Sequence, residues 1–191
     1  MEKKIYISMF VVIIFSAMVL IGNNNSSEKP SSPFFKYVGT KNCVTCHKGD
    51  SKGRQLEIWQ DSKHSKAFLS LQTPEADKIA KDKGFDTPAA ETPLCIKCHV
   101  LGKDINAEEL EDSFDKTQGV QCESCHGPGS EYKKLSIMKD RQQAVVNGLI
   151  LHDNNEEFCR TCHNSDSPTF KDFNYEESWA KIKHTDPNIK R

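Results

Sequence analysis

The sequence predicts a mostly α fold with long loops and little or no sheet. Three observations point there. No stretch alternates apolar and polar residues over enough length to make a convincing strand. Several segments carry helix-start and helix-stop residues around apolar positions at i, i+3 and i+4. The composition is also polar, 36% hydrophobic and 28% charged in 191 residues. The mean hydropathy of -0.64 already includes an apolar N-terminus. Either part of the chain is unstructured, or something other than side chains supplies its interior.

The elements follow in chain order. MEKK is succeeded by IYISMFVVIIFSAMVLIG, an uncharged, mostly apolar run of 18 over residues 5–22. It exceeds the usual signal-peptide core of roughly 7–15 residues and approaches the ~20 of a spanning helix. A good A-x-A-like cleavage site is missing, since Ala17 has Phe15 and Gly22 has Leu20 two residues before it, so residues 1–22 read as a signal-anchor, with a cleaved signal peptide as the alternative. Lys3 and Lys4 stay inside and both readings export the rest. NNNSSEKPSSP (23–33) is a flexible tether. The folded part, residues 34–191, starts near Phe34. Residues 53–71 form a helix with His64, Ala67, Phe68 and Leu71 on one face. Residues 73–84 have a Thr cap, an early Pro and a closing Gly. Further helices are expected at 106–114 (short, Asn106 cap), 130–148 (Ser130 cap, closing Asn-Gly) and 174–184.

Between these segments lie CVTCH (43–47), CIKCH (95–99), CESCH (122–126) and CRTCH (159–163). All eight cysteines fall in four copies of Cys-x-x-Cys-His, whose starts are spaced by 52, 27 and 37 residues. No fixed period exists, so this is not a solenoid. A disulfide framework leaves the histidines unexplained. Two zinc ribbons would use the cysteines but give no reason for four histidines at one offset. A thioredoxin-like site needs one pair. Covalent haem attachment accounts for every position. Thiols three residues apart lie on one side of a helical turn and can add to the two vinyl groups of one haem. The following His then reaches the iron. Four haems would attach through Cys43/Cys46, Cys95/Cys98, Cys122/Cys125 and Cys159/Cys162, with His47, His99, His126 and His163 as proximal ligands. Four apolar macrocycles would supply the missing core, and the chain without them is expected not to fold.

Seven histidines leave three spare: His64, His152 and His184. They give at most three bis-His irons from within the chain. One iron is then five-coordinate, takes Met138 (the only Met past the N-terminal segment), or borrows a ligand from another subunit.

YVGTKNCVTCH, WQDSKHSKAF, GVQCESCHGPGSEY and FCRTCHNSDSPTF…WAKIKH together resemble the tetrahaem cytochrome c-554 family over roughly residues 37–184. The W-x-x-S-x-H-x-x-A frame (59–67) and GVQCESCHGPG (119–129) are more specific than the haem motifs, which many multihaem proteins share. The resemblance implies bis-His ligation for haems one, three and four and an open axial position on haem two. Carried over by motif, it implies His47 with His152, His126 with His64, and His163 with His184, leaving His99 as the sole protein ligand of its iron. The N-terminal apolar segment departs from the family and suggests a tethered carrier.

The expected function is electron transfer on the periplasmic face of the cytoplasmic membrane, or in the periplasm if the signal is cleaved. Partners would be redox proteins, such as a membrane quinol-oxidising complex or a periplasmic oxidoreductase. The membrane is contacted through the N-terminal segment. A net charge of -1 without a basic aromatic stripe gives no case for nucleic acid. The alternatives are reduction of nitric oxide or another small nitrogen oxide at the open haem, and a subunit of a haem filament.

Overall fold

A computed structural model describes residues 34–152 and 155–187. The expected anchor and tether lie outside the described residues. Among the described residues no helix is long and apolar enough to cross a membrane.

The described chain is helical and contains no strand; its only bridge joins Tyr37 to Leu110. The helices are short: α1 Lys41–Val44, α2 Gln55–Asp61, α3 Pro74–Asp82, α4 Pro93–His99, α5 Cys122–His126, α6 Leu135–Met138, α7 Arg141–Val146, α8 Glu156–Arg160 and α9 Tyr175–Ile182. Loops and single 3-10 turns connect them.

α3 shows why its residues make a helix. The Thr73 hydroxyl accepts from Ala76 N–H at 3.2 Å, Pro74 occupies the first turn, and Glu75 and Asp77 face the positive helix end. Asp77 also accepts from Ala89 N–H at 2.9 Å, pinning the following turn. Ala80 turns inward to a small core of Tyr37, Phe68, Leu71, Ala89, Val100 and Leu101. Burying Phe68 there contributes about 1.5–3 kcal/mol. α9 is capped by Asn174, which accepts from Glu177 N–H at 3.2 Å.

Three expected helices differ from those observed. The 53–71 segment breaks after Asp61, where Ser62 is extended. The Ser62 hydroxyl bonds Trp59 O at 2.7 Å, and the Ser65 hydroxyl bonds Gln60 O and Ser62 O at 3.0 Å. Such local bonds compete with the helical ladder. His64–Lys66 and Phe68–Leu71 follow as 3-10 turns. The 106–114 segment keeps its Asn106 cap but only one turn, Ala107–Glu109. Tyr37 N–H donates to Glu109 O at 2.8 Å and Tyr37 O accepts from Glu111 N–H at 2.9 Å, drawing Leu110 into an extended pairing. The 130–148 segment divides into α6 and α7. Asp140 caps α7 by accepting from Gln142 and Gln143 N–H, while Ser130 accepts from Lys36 N–H at 3.0 Å instead of capping a helix.

Candidate haem-binding sites

Each Cys-x-x-Cys-His unit closes one turn of helix. In the first, Cys46 N–H and His47 N–H both donate to Cys43 O, at 3.2 and 3.1 Å. In the fourth, Cys162 and His163 donate likewise to Cys159 O, at 3.3 and 3.0 Å. α4 and α5 contain the second and third units whole. The two cysteines of a unit therefore share a face, with the His one turn above the first. None of the eight is joined in a disulfide. Among the described residues no three His, Cys, Asp or Glu side chains converge as a protein-held metal ion requires, which is the arrangement zinc ribbons need.

The units meet in pairs. Cys43 of the first lies beside Cys122 of the third, and Cys98 of the second beside Cys162 of the fourth, each pair close enough to shift the other's thiol. The Cys98 thiol pulls Cys162 down to about 6. Burial pushes Cys125 up to about 12.

The proximal histidines are held as ligands need to be. His99 Nδ1 lies 2.8 Å from Ala67 O and 3.2 Å from the Ser70 hydroxyl. His126 Nδ1 lies 3.0 Å from Ile150 O, and His47 Nδ1 lies 2.5 Å from Gln55 Oε1. A carbonyl oxygen only accepts, so each Nδ1 carries the proton and each Nε2 keeps a bare lone pair. His163 is oriented differently, stacked on Phe173 at 4.5 Å and 11°.

The three spare histidines come to these rings. His64 faces His163 with ring centres 6.0 Å apart. His184 faces His126 at 5.9 Å, and His152 faces it at 6.2 Å. Imidazole–metal bonds of roughly 2 Å on opposite sides of one ion put ring centres about 6 Å apart, so these separations fit an iron between the rings. His184 Nδ1 sits 3.0 Å from Ile182 O, again freeing Nε2. His152 is reversed. Its Nε2 lies 2.6 Å from Cys125 O, and its buried Nδ1 has no hydrogen-bond partner, so Nδ1 is the nitrogen left for a ligand. The neutral form that ligation requires is also favoured. Burial lowers the pKa of His126 and His163, and burial followed by the neighbouring His163 lowers that of His64.

The ring contacts differ from two of the pairs that the resemblance implies. His64 meets His163 and not His126, and His184 meets His126 and not His163. His64 does lie beside the third unit through its backbone, since its carbonyl accepts from Val120 N–H at 2.9 Å. Its ring nonetheless faces the fourth. No ring contact joins His47 to His152 among the described residues, although His47, His152 and His184 all lie near enough to His126 to depress its pKa.

A polar clamp around the third unit was not anticipated. Glu123, within CESCH, is 1% exposed. It accepts from Val38, Gly39 and Gly129 N–H at 2.6–3.0 Å. Gln121 accepts from Thr40 N–H and hydroxyl at 3.0 and 3.1 Å. The Tyr132 hydroxyl donates to Gly127 O at 2.8 Å. The clue in the sequence was a charged residue between two cysteines inside GVQCESCHGPG.

The family described as "Cytochrome c554 and c-prime" matches residues 42–127, which contain the first three units and His64. Over 142 residues the chain is 32% identical to "Cytochrome c-554" of Nitrosomonas europaea, covering 66% of this chain and 57% of the relative. Over these residues the chain is similar to the cytochrome c-554 family. The likeness supports a c-type cytochrome with covalently bound haem, which the thiol pairs and bare imidazole nitrogens above fit. The chain spans little more than half the length of this cytochrome c-554 relative. No solved structure matches it.

Proposed function

We propose that this chain is a member of the cytochrome c-554 family and carries electrons through four covalently attached haems, one per Cys-x-x-Cys-His unit. The carrying observation is the spacing of the histidine rings, 6.0 Å for His64–His163 and 5.9 Å for His126–His184. These two pairs close the third and fourth irons. His152, with Nδ1 bare, is left for the His47 iron, as the family pattern has it. His99 is the only protein ligand on the second. Haem iron supplies reversible one-electron exchange, and two imidazoles saturate its axial positions so that no substrate binds. The chain's part is to set imidazole tautomers, hold neighbouring haems close and exclude water. The two cysteine contacts between units favour haems arranged as two close pairs, one and three, two and four.

We place the domain on the periplasmic side of the membrane, tethered there by residues 1–22. It would work between a quinol-oxidising membrane complex or a periplasmic oxidoreductase and a further redox protein. A second reading, reduction of nitric oxide or another small nitrogen oxide, applies to the His99 iron alone. It is favoured by the lack of any second imidazole in ring contact with His99 among the described residues.

Electron paramagnetic resonance of the oxidised holoprotein, with haem assayed on the same sample, tests the proposal. Three low-spin irons and one high-spin iron per chain are expected. Four low-spin irons at every protein concentration would exclude the open site and with it the second reading. Two or more high-spin irons would contradict the pairings.

A further inference from the structure

Glu123 is the most deeply buried ionisable group in the described chain, 1% exposed, and ligation does not use it. It lies in α5, between the two thiols of the third unit and one turn before His126. The carboxylate faces away from solvent into backbone amides. Val38 N–H reaches both oxygens at 2.9 and 3.0 Å, Gly39 N–H reaches Oε2 at 2.6 Å, and Gly129 N–H reaches Oε1 at 2.7 Å. Burial raises the pKa of this carboxyl, and the three N–H donors act against that by stabilising its ionised form. No arginine or lysine contacts it, and Lys133 is the cation felt there. Lys133 is itself engaged at longer range with Asn42 Oδ1 and Glu111 Oε2, at 3.4 and 3.5 Å. A purely structural clamp could be built from a neutral side chain. This one holds a negative charge in a region of low dielectric, where charge acts strongly over distance.

Resting on the reading that the third unit carries haem, we propose that Glu123 is a positioning residue that also lowers the reduction potential of the haem attached at Cys122 and Cys125. A fixed anion favours the ferric iron, which carries one more positive charge than the ferrous. Burial, charge and hydrogen bonding near the iron are the means by which a protein sets its potential. The same carboxylate ties the Val38–Gly39 segment and the Gly127–Gly129 turn to the haem motif, so position and potential are set by one group.

The test is a spectroelectrochemical titration of the full-length exported holoprotein and of Glu123→Gln and Glu123→Asp, with haem content and melting followed on the same samples. In Glu123→Gln one redox wave is expected to move positive by more than tenfold in the reduced-to-oxidised ratio at fixed potential, about 59 mV for one electron. Glu123→Asp keeps the charge and should leave that wave near its original place while melting lower. If neither variant moves a wave, or both move it equally, the proposal is overturned. Should Glu123→Gln fail to mature, Lys133→Met removes the facing cation from a more exposed position. It must then move one wave negative, and an unmoved wave overturns the proposal. Absence of haem on the Cys122–Cys125 peptide in the wild-type protein would instead defeat the four-haem reading itself.

Discussion

Replacing His64 by alanine removes the ring that faces His163 at 6.0 Å. The proposed ligation has one high-spin iron among four, at His99. His64→Ala opens one more, so the high-spin signal doubles, from one iron in four to two in four, while haem content stays at four. The His64–His163 ring contact predicts which iron opens. In a background where Cys159→Ser and Cys162→Ser prevent attachment of the fourth haem, His64 has already lost its iron. Adding His64→Ala there should leave the high-spin count unchanged. Were His64 the ligand of the His126 iron, the same substitution would raise the count in both backgrounds. This comparison is a double-mutant cycle, and full non-additivity is the signature of a direct pair. Spin quantitation on samples matched for haem supplies the readout, and an increase in the doubly substituted background would refute the pairing.

Three further outcomes follow from particular contacts. Tyr132→Phe deletes the buried 2.8 Å bond to Gly127 O and should destabilise the holoprotein by about 1–3 kcal/mol, seen as a lower thermal midpoint with unchanged haem content. Gly119 has φ +73, and a Cβ there would stand 2.5 Å from His64 O. Gly119→Ala should therefore cost about 1–3 kcal/mol and increase the high-spin fraction by displacing His64. Burial holds the pKa values of His64, His126 and His163 below that of the unfolded chain. Below about pH 6.5 the unfolded chain binds protons that the folded one does not, so stability falls as pH falls through that window and is fully present above it. Acid titration should convert low-spin to high-spin iron on that side of neutrality, and loss of low-spin character on the alkaline side would contradict the assignment.

The elements that were legible in the sequence are those governed by neighbours along the chain. Thr73, Pro74 and Gly84 set the ends of α3, Asn174 starts α9, and the four Cys-x-x-Cys-His units declare their own turns because five residues carry the whole pattern. Where distant residues compete for the backbone, the periodicity misled. Tyr37 captures residues 109–111 from a helix that Asn106 begins, and Lys36 takes the Ser130 hydroxyl expected to cap another. Asp140 was a readable cap that the long apolar spacing of 130–148 concealed. The candidate ligands were all named by counting histidines, but which ring meets which depends on how loops cross between units. His64 shows this most clearly, with its backbone against the third unit and its ring against the fourth. Glu123 was visible as a residue but not as a buried anion, because its donors lie 84–85 residues upstream and 6 residues downstream.

Haem stoichiometry of the holoprotein is the most direct measurement. Intact mass and pyridine haemochrome absorbance, taken together, should give four covalent haems per chain, and peptides covering 43–47, 95–99, 122–126 and 159–163 should each carry one. A mature protein saturated at fewer than four, with free thiols or a disulfide in any of these peptides, would contradict the four-haem carrier.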